Sequence, residues 1–484
     1  QGPSGEPITR DATGEEIYST LYSIRESPVQ QGVIWAGSND GLIHVTRDDG
    51  KTWTNVTPKD LPPGGRVQNI EPGTHRAGTA YAAIYRYLLG DFAPYIYRTG
   101  DFGRTWTRLT GGRNGIAAGE PTRVVREDPV RAGLLYAGTE FGMYISFDDG
   151  GHWQSFQLNL PNTPVTDIKL AHGDMILATQ GRGFWILDNL TPLRQIGAAT
   201  AASAATLFAP RDAVRTPGRF GFGRGAAIQY PQPGAQIDYY LSAEPRGDLV
   251  MEIVDPAGKL VRRFSSSTGA APSARPAGDA EAGGGGGEDA GEGGFRMRGG
   301  PTRLEKTPGL HRFTWDLRYP GPWMTAARPE GPNGPAAVPG RYSVRLTAEN
   351  FTFTQAFNVV EDPRVTASGV TLDDLREQFD HNLRVLALVS DVNRAVTRLR
   401  AAQTALKANP ADADKLAKVN ELATRLITPT IRYSKPGLQT HIAYLYSLTT
   451  ATDQRIGRDA VERYEVLRRE LDRQLAELDA LLGK

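Results

Sequence analysis

Hydrophobic and polar residues alternate in short runs over the first 190 positions of the chain. Leu21–Glu26, Val33–Gly37, Leu42–Thr46 and Trp53–Thr57 each have strand character and are separated by turn residues. The same order of four runs returns at Arg66–Glu71, Ala80–Tyr85, Tyr95–Thr99 and Trp106–Thr110. It returns again at Thr122–Glu127, Leu134–Gly138, Met143–Phe147 and Trp153–Phe156. A fourth round, Val165–Ala171, Met175–Thr179 and Phe184–Leu187, stops after three runs. Strand-type alternation resumes at Gln236–Ser242, Leu249–Val254, Leu260–Phe264, Gly309–Leu317, Gly340–Ala348 and Phe351–Val360. About seven short strands there predict an immunoglobulin- or fibronectin-like sandwich, with Trp315 as its core aromatic. From Thr371 the period switches from 2 to 3.6. Thr371 with Asp373 and Asp374 supplies an N-cap and an acidic first turn, and an apolar stripe from Leu372 to Leu406 predicts a helix of roughly 35 residues. Asn409-Pro410 ends it. Further helices are expected over Asp412–Ile427, Leu438–Leu448 and Asp459–Leu482, giving an antiparallel bundle or long hairpin.

One template punctuates each complete round of strands: Ser/Thr-x-Asp-x-Gly-x-x-Trp. It reads TRDDGKTW at Thr46–Trp53, TGDFGRTW at Thr99–Trp106 and SFDDGGHW at Ser146–Trp153. Each residue type has a structural job in a tight turn. The carboxylates of Asp48, Asp101 and Asp148 accept backbone N–H bonds. Gly50, Gly103 and Gly150 supply a conformation that a side chain opposes. Trp53, Trp106 and Trp153 begin the next strand and offer an apolar face to a neighbour. Four strands in a repeat of about 50 residues is the blade of a β-propeller.

The motif resembles the Asp-box, or bacterial neuraminidase repeat, found in sialidases, sortilin-type receptor domains and tandem-propeller hydrolases that cut xyloglucan. The wider wording, WAGSNDGLIHVTRDDGKTWTNVTP, LLYAGTEFGMYISFDDGGHWQSFQLNLP and ATQGRGFWILDNLTPLRQ, is similar to the C-terminal part of large secreted bacterial proteins of the sortilin-like, BNR-repeat glycosyl hydrolase family. That resemblance implies a multidomain, mainly β protein: propeller blades over 1–190, a linker over 191–230, a β-sandwich over 231–364 and a helical domain over 365–484. It also implies a secreted or periplasmic protein whose signal peptide lies upstream. Three whole blades and one partial blade are fewer than an ordinary ring of roughly 4–8 needs. The missing blades are therefore expected from an N-terminal propeller half, in the same precursor or as a separate chain.

Composition narrows the classes further. A net charge of +1 with 39% hydrophobic residues gives no electrostatic bias toward nucleic acid or membrane. No run approaches the apolar length of a membrane span. The absence of cysteine excludes disulfide and thiol chemistry in these residues. The seven histidines show no metal-ligand spacing, so no metal and no cofactor are expected, with calcium at the Asp-rich turns left open. Residues 265–302 are rich in Gly, Ala and Ser, cannot bury a core, and are expected to form a mobile loop within the sandwich. GFGRGA at Gly221–Ala226 does not satisfy a dinucleotide-binding fingerprint.

Propellers bind ligands mostly on the face carrying the turns between strands two and three and the blade connections. The ligand-face candidates are Asn39 and Asp40, then Arg86, Tyr87 and Asp91 in an enlarged loop, then Glu140 and Phe141, and then Gln180 and Arg182. The blade connections add Lys59, Asp60, Arg113, Asn114 and Glu120. Asp40, Asp91 and Glu140, in equivalent or near-equivalent places, are the candidate catalytic carboxylates. A retaining glycosidase holds its pair about 5 Å apart and an inverting one about 6.5–9.5 Å apart. The leading expectation is a binding or scaffold module for a polymeric ligand, glycan or peptide. The alternative is a glycoside hydrolase whose carboxylate pair is shared with the missing half. A third reading is an assembly factor like the Asp-box propellers that help to build photosystem II.

Overall fold

A computed structural model describes residues 20–111, 113–216, 233–267, 303–408, 410–431 and 433–483. The expected loop thus lies outside the described residues over 268–302, as do Gly221–Ala226 and residues 1–19. The chain divides into two compact units, one ending at Ala198 and the other beginning at Ala199.

The first unit is built of antiparallel meanders, each with its strands in chain order. Blade one holds β1 (Leu21–Glu26), β2 (Ile34–Ser38), β3 (Ile43–Thr46) and β4 (Thr54–Asn55). Blade two holds β5 (Arg66–Pro72), β6 (Ala80–Tyr85), β7 (Ile96–Thr99) and β8 (Thr107–Arg108). Blade three holds β9 (Thr122–Glu127), β10 (Leu135–Thr139), β11 (Met143–Ser146) and β12 (Gln154–Ser155). Blade four has three strands: β13 (Val165–Ala171), β14 (Asp174–Thr179) and β15 (Phe184–Leu187). These are sheets of propeller type, and the first strand of each lies beside the first strand of the next.

The repeated turns share one hydrogen-bond pattern. The hydroxyl of Thr46 donates to Asp48 at 2.8 Å and accepts the Gly50 N–H at 2.9 Å. Asp48 also accepts the Thr52 N–H at 2.9 Å and the Thr52 hydroxyl at 2.7 Å. Thr99, Asp101, Gly103 and Thr105 repeat it, and so do Ser146, Asp148, Gly150 and His152. The residue after each boxed Asp, Asp49, Phe102 or Asp149, is left-handed at φ 57–61°, and the following Gly lies at φ 83–86°. The conserved geometry is therefore local, and the turn carboxylates are saturated by their own turn.

Blade-to-blade packing is just as regular. Every first strand carries a β-bulge at one place: Leu21/Ser23, Val67/Asn69, Thr122/Val124 and Val165/Asp167. This register aligns Ile24, Ile70, Val125 and Ile168 as one position. Opposite the bulge stand only small residues, Gly37, Ala83, Gly138 and Ala178. A Cβ on Gly37 would meet Val67 Cγ1 at 2.4 Å, so the next blade's first strand comes too close for a larger side chain. Polar bonds stitch the row together: Ile70 N donates to Ser23 Oγ at 3.0 Å and Val125 N to Asn69 Oδ1 at 3.0 Å. Buried Arg126 reaches Glu71 at 3.0 Å, Asp167 at 2.6 Å and the Ile168 carbonyl at 2.8 Å.

The tryptophans of the turns seat each blade on the one before. Trp106 Nε1 donates to the Val56 carbonyl of blade one at 2.6 Å, and Trp153 Nε1 to the Leu109 carbonyl of blade two at 3.2 Å. Trp53 does not fit the packing role expected of it. It is 43% exposed and has no such partner among the described residues.

Residues 191–230, expected as a linker, are structured over their described part. α1 (Thr191–Gln195) turns back onto blade three, where Arg194 Nε donates to both Asp128 oxygens at 3.0 Å. α2 (Ala198–Ala202) follows, and β16 (Ala205–Leu207) and β17 (Ala213–Arg215) join the sheets of the second unit. Three-residue strands are too short for alternation to reveal them, and their partners lie far along the chain.

In the second unit a sheet of β16, β18 (Ala235–Leu241) and β21 (Gly309–Trp315) shares one core with a five-stranded sheet. The latter runs β17, β23 (Phe351–Glu361), β22 (Gly340–Ala348), β19 (Val250–Val254) and β20 (Leu260–Ser265). Fully buried Trp315 meets Tyr342 and Phe357 of the larger sheet at ring distances of 5.6 and 6.3 Å. α3 (Pro363–Ala367) leads to α4 (Leu372–Lys407), which opens with a Thr371–Asp374 capping box. α5 (Ala413–Leu426) and α6 (Leu438–Thr450) run antiparallel to successive halves of α4: Gln403 bonds Asn420, Asn393 bonds Gln439, and Gln378 bonds the Thr449 carbonyl. α7 (Arg458–Leu482) runs parallel to α4, with Arg468 on Asp391 and Asp479 on Arg398. The helices thus form three rods, one of them broken, and not a simple antiparallel hairpin. A buried Arg215–Asp453 pair at 2.8 Å ties sheet to helices, and burial pushes the Asp453 carboxyl up and the Arg215 guanidinium down.

Candidate functional site

Antiparallel pairing places the start of every first strand, the end of every second strand and the turn that follows at one end of the blades. The bulges lie at that same end. An extra residue in a strand re-aims its side chain. The extra residues are Tyr22, Gln68, Arg123 and Thr166. Gln68 Nε2 lies 3.5 Å from the Tyr22 hydroxyl, and the Gln68 side-chain oxygen Oε1 is buried with no hydrogen-bond partner among the described residues. Arg66 stacks over the Tyr22 ring at 4.3 Å and donates to Asn39 at 2.8 Å. Arg123 pairs with Glu140 at 2.5 Å, donates to the Tyr85 hydroxyl at 3.2 Å and lies over the Tyr85 ring at 4.6 Å. Gln180 of blade four lies 3.5 Å from Arg123. A polar belt therefore crosses the four blades.

The three candidate carboxylates are each engaged. Asp40 accepts from the Ser38 hydroxyl. Asp91 accepts from Arg86 Nε at 2.7 Å and from the Tyr95 hydroxyl at 2.8 Å. Burial opposes its ionisation, but these bonds outweigh burial and hold the carboxyl below its usual range. Glu140 is the partner of Arg123. Their places are not equivalent: the bulge register aligns Glu140 with Asn39, Tyr85 and Gln180, whereas Asp91 closes the enlarged loop. Burial, reinforced by the bond to Glu140, pushes the Tyr85 hydroxyl well above the usual phenol range, so it serves as a neutral donor.

Arg86 is a loop anchor and not a free cation. Its Nη1 donates to the carbonyls of Pro62, Pro63 and Gly64 at 2.8, 2.8 and 2.6 Å. This leaves aromatic rings as the accessible part of the enlarged loop. Tyr87 stacks on Tyr85 at 5.7 Å and meets Phe92 edge-on at 5.2 Å, with Tyr87 and Phe92 both exposed. On blade three, Glu120 and exposed Phe141 come together in a depression of about 260 Å³ that Tyr144, Ser155, Gln157 and Asn162 also line. Glu120 accepts from the Tyr144 hydroxyl at 2.8 Å. Arg182 is exposed beyond β14. Asn114 does not belong to this face: it donates to the Gly150 carbonyl at 3.3 Å, beside the opposite turns, because its connection descends along the outside of blade three.

Sequence reasoning found the turn residues and missed Tyr22, Gln68, Arg123 and Tyr85. A bulge leaves no mark in composition. Superposing the four first-strand runs on their hydrophobic positions gives the only available signal, a polar residue one step early in each.

No family model matches the chain. An oligoxyloglucan-reducing end-specific xyloglucanase of Emericella nidulans is 30% identical over 118 residues, which are 22% of this chain and 13% of that protein. The chain thus spans a small part of that relative's length. Among solved structures, YCF48 from Cyanidioschyzon merolae aligns at 19% identity over 36% of this chain and 54% of its own, with a TM-score of 0.27. The xyloglucanase of Xanthomonas campestris aligns at 16% identity over 37% and 29%, with a TM-score of 0.29. These scores are low, and the propeller-type architecture rests on the strand pairing of the chain itself.

Proposed function

We propose that the blades form a binding module for a polymeric ligand, glycan or peptide, held on the face that carries the bulges. The observation that carries this reading is the meeting of Glu120 and Phe141 in one depression, on the same end of the blades as Tyr87, Phe92 and the polar belt. Exposed rings offer apolar area at small entropic cost, and a few oriented polar groups set the register of a ligand. Arg123 is paired with Glu140, Arg66 is held by Asn39 and the Tyr22 ring, and Arg86 is anchored on carbonyls, so the face is built for hydrogen bonding and ring contact more than for charge capture.

The test is titration calorimetry of the chain with a panel of soluble polysaccharides and of unstructured peptides. One ligand class is expected to bind, and Phe141→Ala or Glu120→Gln is expected to weaken that binding about tenfold, or about 1.4 kcal/mol. Binding that survives both substitutions would place the site elsewhere. The second reading, a glycoside hydrolase, draws support from the local 30% identity to a xyloglucanase. It predicts new reducing ends from xyloglucan oligosaccharides, abolished by Glu120→Gln or Glu140→Gln.

A further inference from the structure

A concentrated set of unmet polar groups lies among the helices of the second unit. Gln378, His381 and Asn382 occupy one turn of α4, and all three are buried. Residues three and four apart share a helix face, so these side chains crowd one seam. Both amide nitrogens are spent on the end of α6. Gln378 Nε2 donates to the Thr449 and Thr452 carbonyls at 2.8 and 2.7 Å, and Asn382 Nδ2 donates to the Thr449 carbonyl at 3.0 Å. The last carbonyls of a helix need such donors, which accounts for the two amides. It does not account for the imidazole. His381 is fully buried against Tyr464 of α7, at a ring distance of 6.2 Å, and neither ring nitrogen has a hydrogen-bond partner among the described residues.

A neutral imidazole held this way forgoes ordinary hydrogen bonds. An imidazolium would bury an unpaired charge, which costs far more. Burial, and then the Arg384 guanidinium one turn along α4, pushes the His381 imidazole below its usual range. Arg384 lies over the Tyr464 ring at 5.3 Å. The other neighbours offer no relief. On α4, Glu377 and Asp380 are exposed. On α7, Tyr464 is the facing titratable group, and Glu462, Arg463 and Glu465 around it are exposed. α6 meets this turn through Thr449, and its buried Tyr446 hydroxyl is committed to the Asn333 carbonyl at 2.8 Å. In the turn between α6 and α7, Asp453 is held by Arg215 at 2.8 Å and Arg455 by Asp374 at 2.9 Å.

We propose that His381 is an acid-released catch: α4, α6 and α7 close around a neutral imidazole, and acidification frees α7 and the α6–α7 turn from α4. The closed helices exclude the proton that a histidine in the unfolded chain accepts near about 6.5. The catch therefore holds fully above that value and weakens as pH falls below it, by up to about tenfold per pH unit in the opening equilibrium. The Arg215–Asp453 pair does not mimic this behaviour. Burial raises the Asp453 carboxyl, so the folded form takes up that proton before the unfolded one does, and stability changes in the opposite direction. The catch is independent of what the blades bind.

The test is urea unfolding of the 484-residue chain at pH 7.5, 6.5 and 5.5, followed by ellipticity at 222 nm, which reports mainly the helices. The helical folding constant is expected to fall about tenfold between pH 7.5 and 5.5. His381→Leu removes the titration and fills the seam with carbon, and it is expected to abolish that fall. His441→Gln, at a half-buried position of α6, is expected to keep it. A flat profile in the unmodified chain overturns the inference, and so does a fall that persists in His381→Leu. If His381→Leu fails to fold, the ring C–H resonances of the unmodified chain decide. One imidazole is expected to stay neutral at pH 5.5, and ordinary titration of all seven histidines overturns the inference.

Discussion

Ile24 and Ile70 stand at the same register position of consecutive blades, each beside the same bulge and each followed by a charged residue. One is 60% exposed and the other fully buried. Trp53 and Trp153 make the same contrast at the far end of the repeat: an identical turn precedes both, yet only Trp153 finds a carbonyl and a core. Identical local pattern gives identical local structure, while burial depends on a neighbouring sheet that the local pattern does not contain. Strand and turn are properties of the repeat, and stability is a property of the seam.

The largest effect that tests this contrast is expected at the tryptophans. Trp153→Ala removes a buried indole and its hydrogen bond and is expected to cost about 3–5 kcal/mol. Trp53→Ala in the same chain is expected to cost less than about 1 kcal/mol, because the ring is half in water. Urea unfolding followed by hydrogen exchange of the β9 and β1 amides reads the two positions separately. Equal losses at the two positions would mean that the contrast in exposure has no energetic content.

The first-strand pair sharpens the comparison with a smaller change. Ile70→Ala is expected to destabilise by about 2–5 kcal/mol, and Ile24→Ala to stay within about 0.5 kcal/mol.

The contrast also explains what the sequence could and could not reveal. Short strand-type runs between turn residues marked β1 to β15 to within a residue or two, although β6 and β10 are buried along their whole length. The three turns were legible down to the role of Asp48, Asp101 and Asp148, since their bonds close within five residues. The hydroxyl of Thr46, Thr99 or Ser146, which donates to the Asp and accepts from the Gly, was not read, although it stands in the template. Long-range features were invisible. β17 is three residues long and pairs with β23, more than 140 positions away. Of the candidate site, Phe141 was found as a turn residue and Glu120 in a blade connection, but their meeting with Gln157 and Asn162 depends on how blade three folds back on itself. Asp40, Asp91 and Glu140 looked alike as acidic loop residues, and only their partners separate them.

The smallest expected effect is one that should ignore the seam altogether. Asp48 belongs to the uncovered first blade and Asp101 to the covered second. The Thr52 and Thr105 N–H groups, the Thr52 and Thr105 hydroxyls, and Thr46 and Thr99 hold the two carboxylates in the same way. Asp48 is pulled down to about 2, chiefly by the Thr52 backbone bond, and Asp101 is lowered chiefly by that of Thr105. A depressed folded-state pKa means that the turn's contribution is complete above the ordinary carboxylate range near about 4 and fades as pH falls toward about 2. Carboxyl chemical shifts followed between pH 6 and 1.5 are expected to show both groups titrating below 3.8, and Asp48→Asn is expected to remove only its own transition. A near-normal pKa at Asp48 beside a depressed one at Asp101 would show that the seam reaches into the turn. The division between a self-contained turn and a neighbour-dependent strand would then fail at the place where the repeat looks most alike.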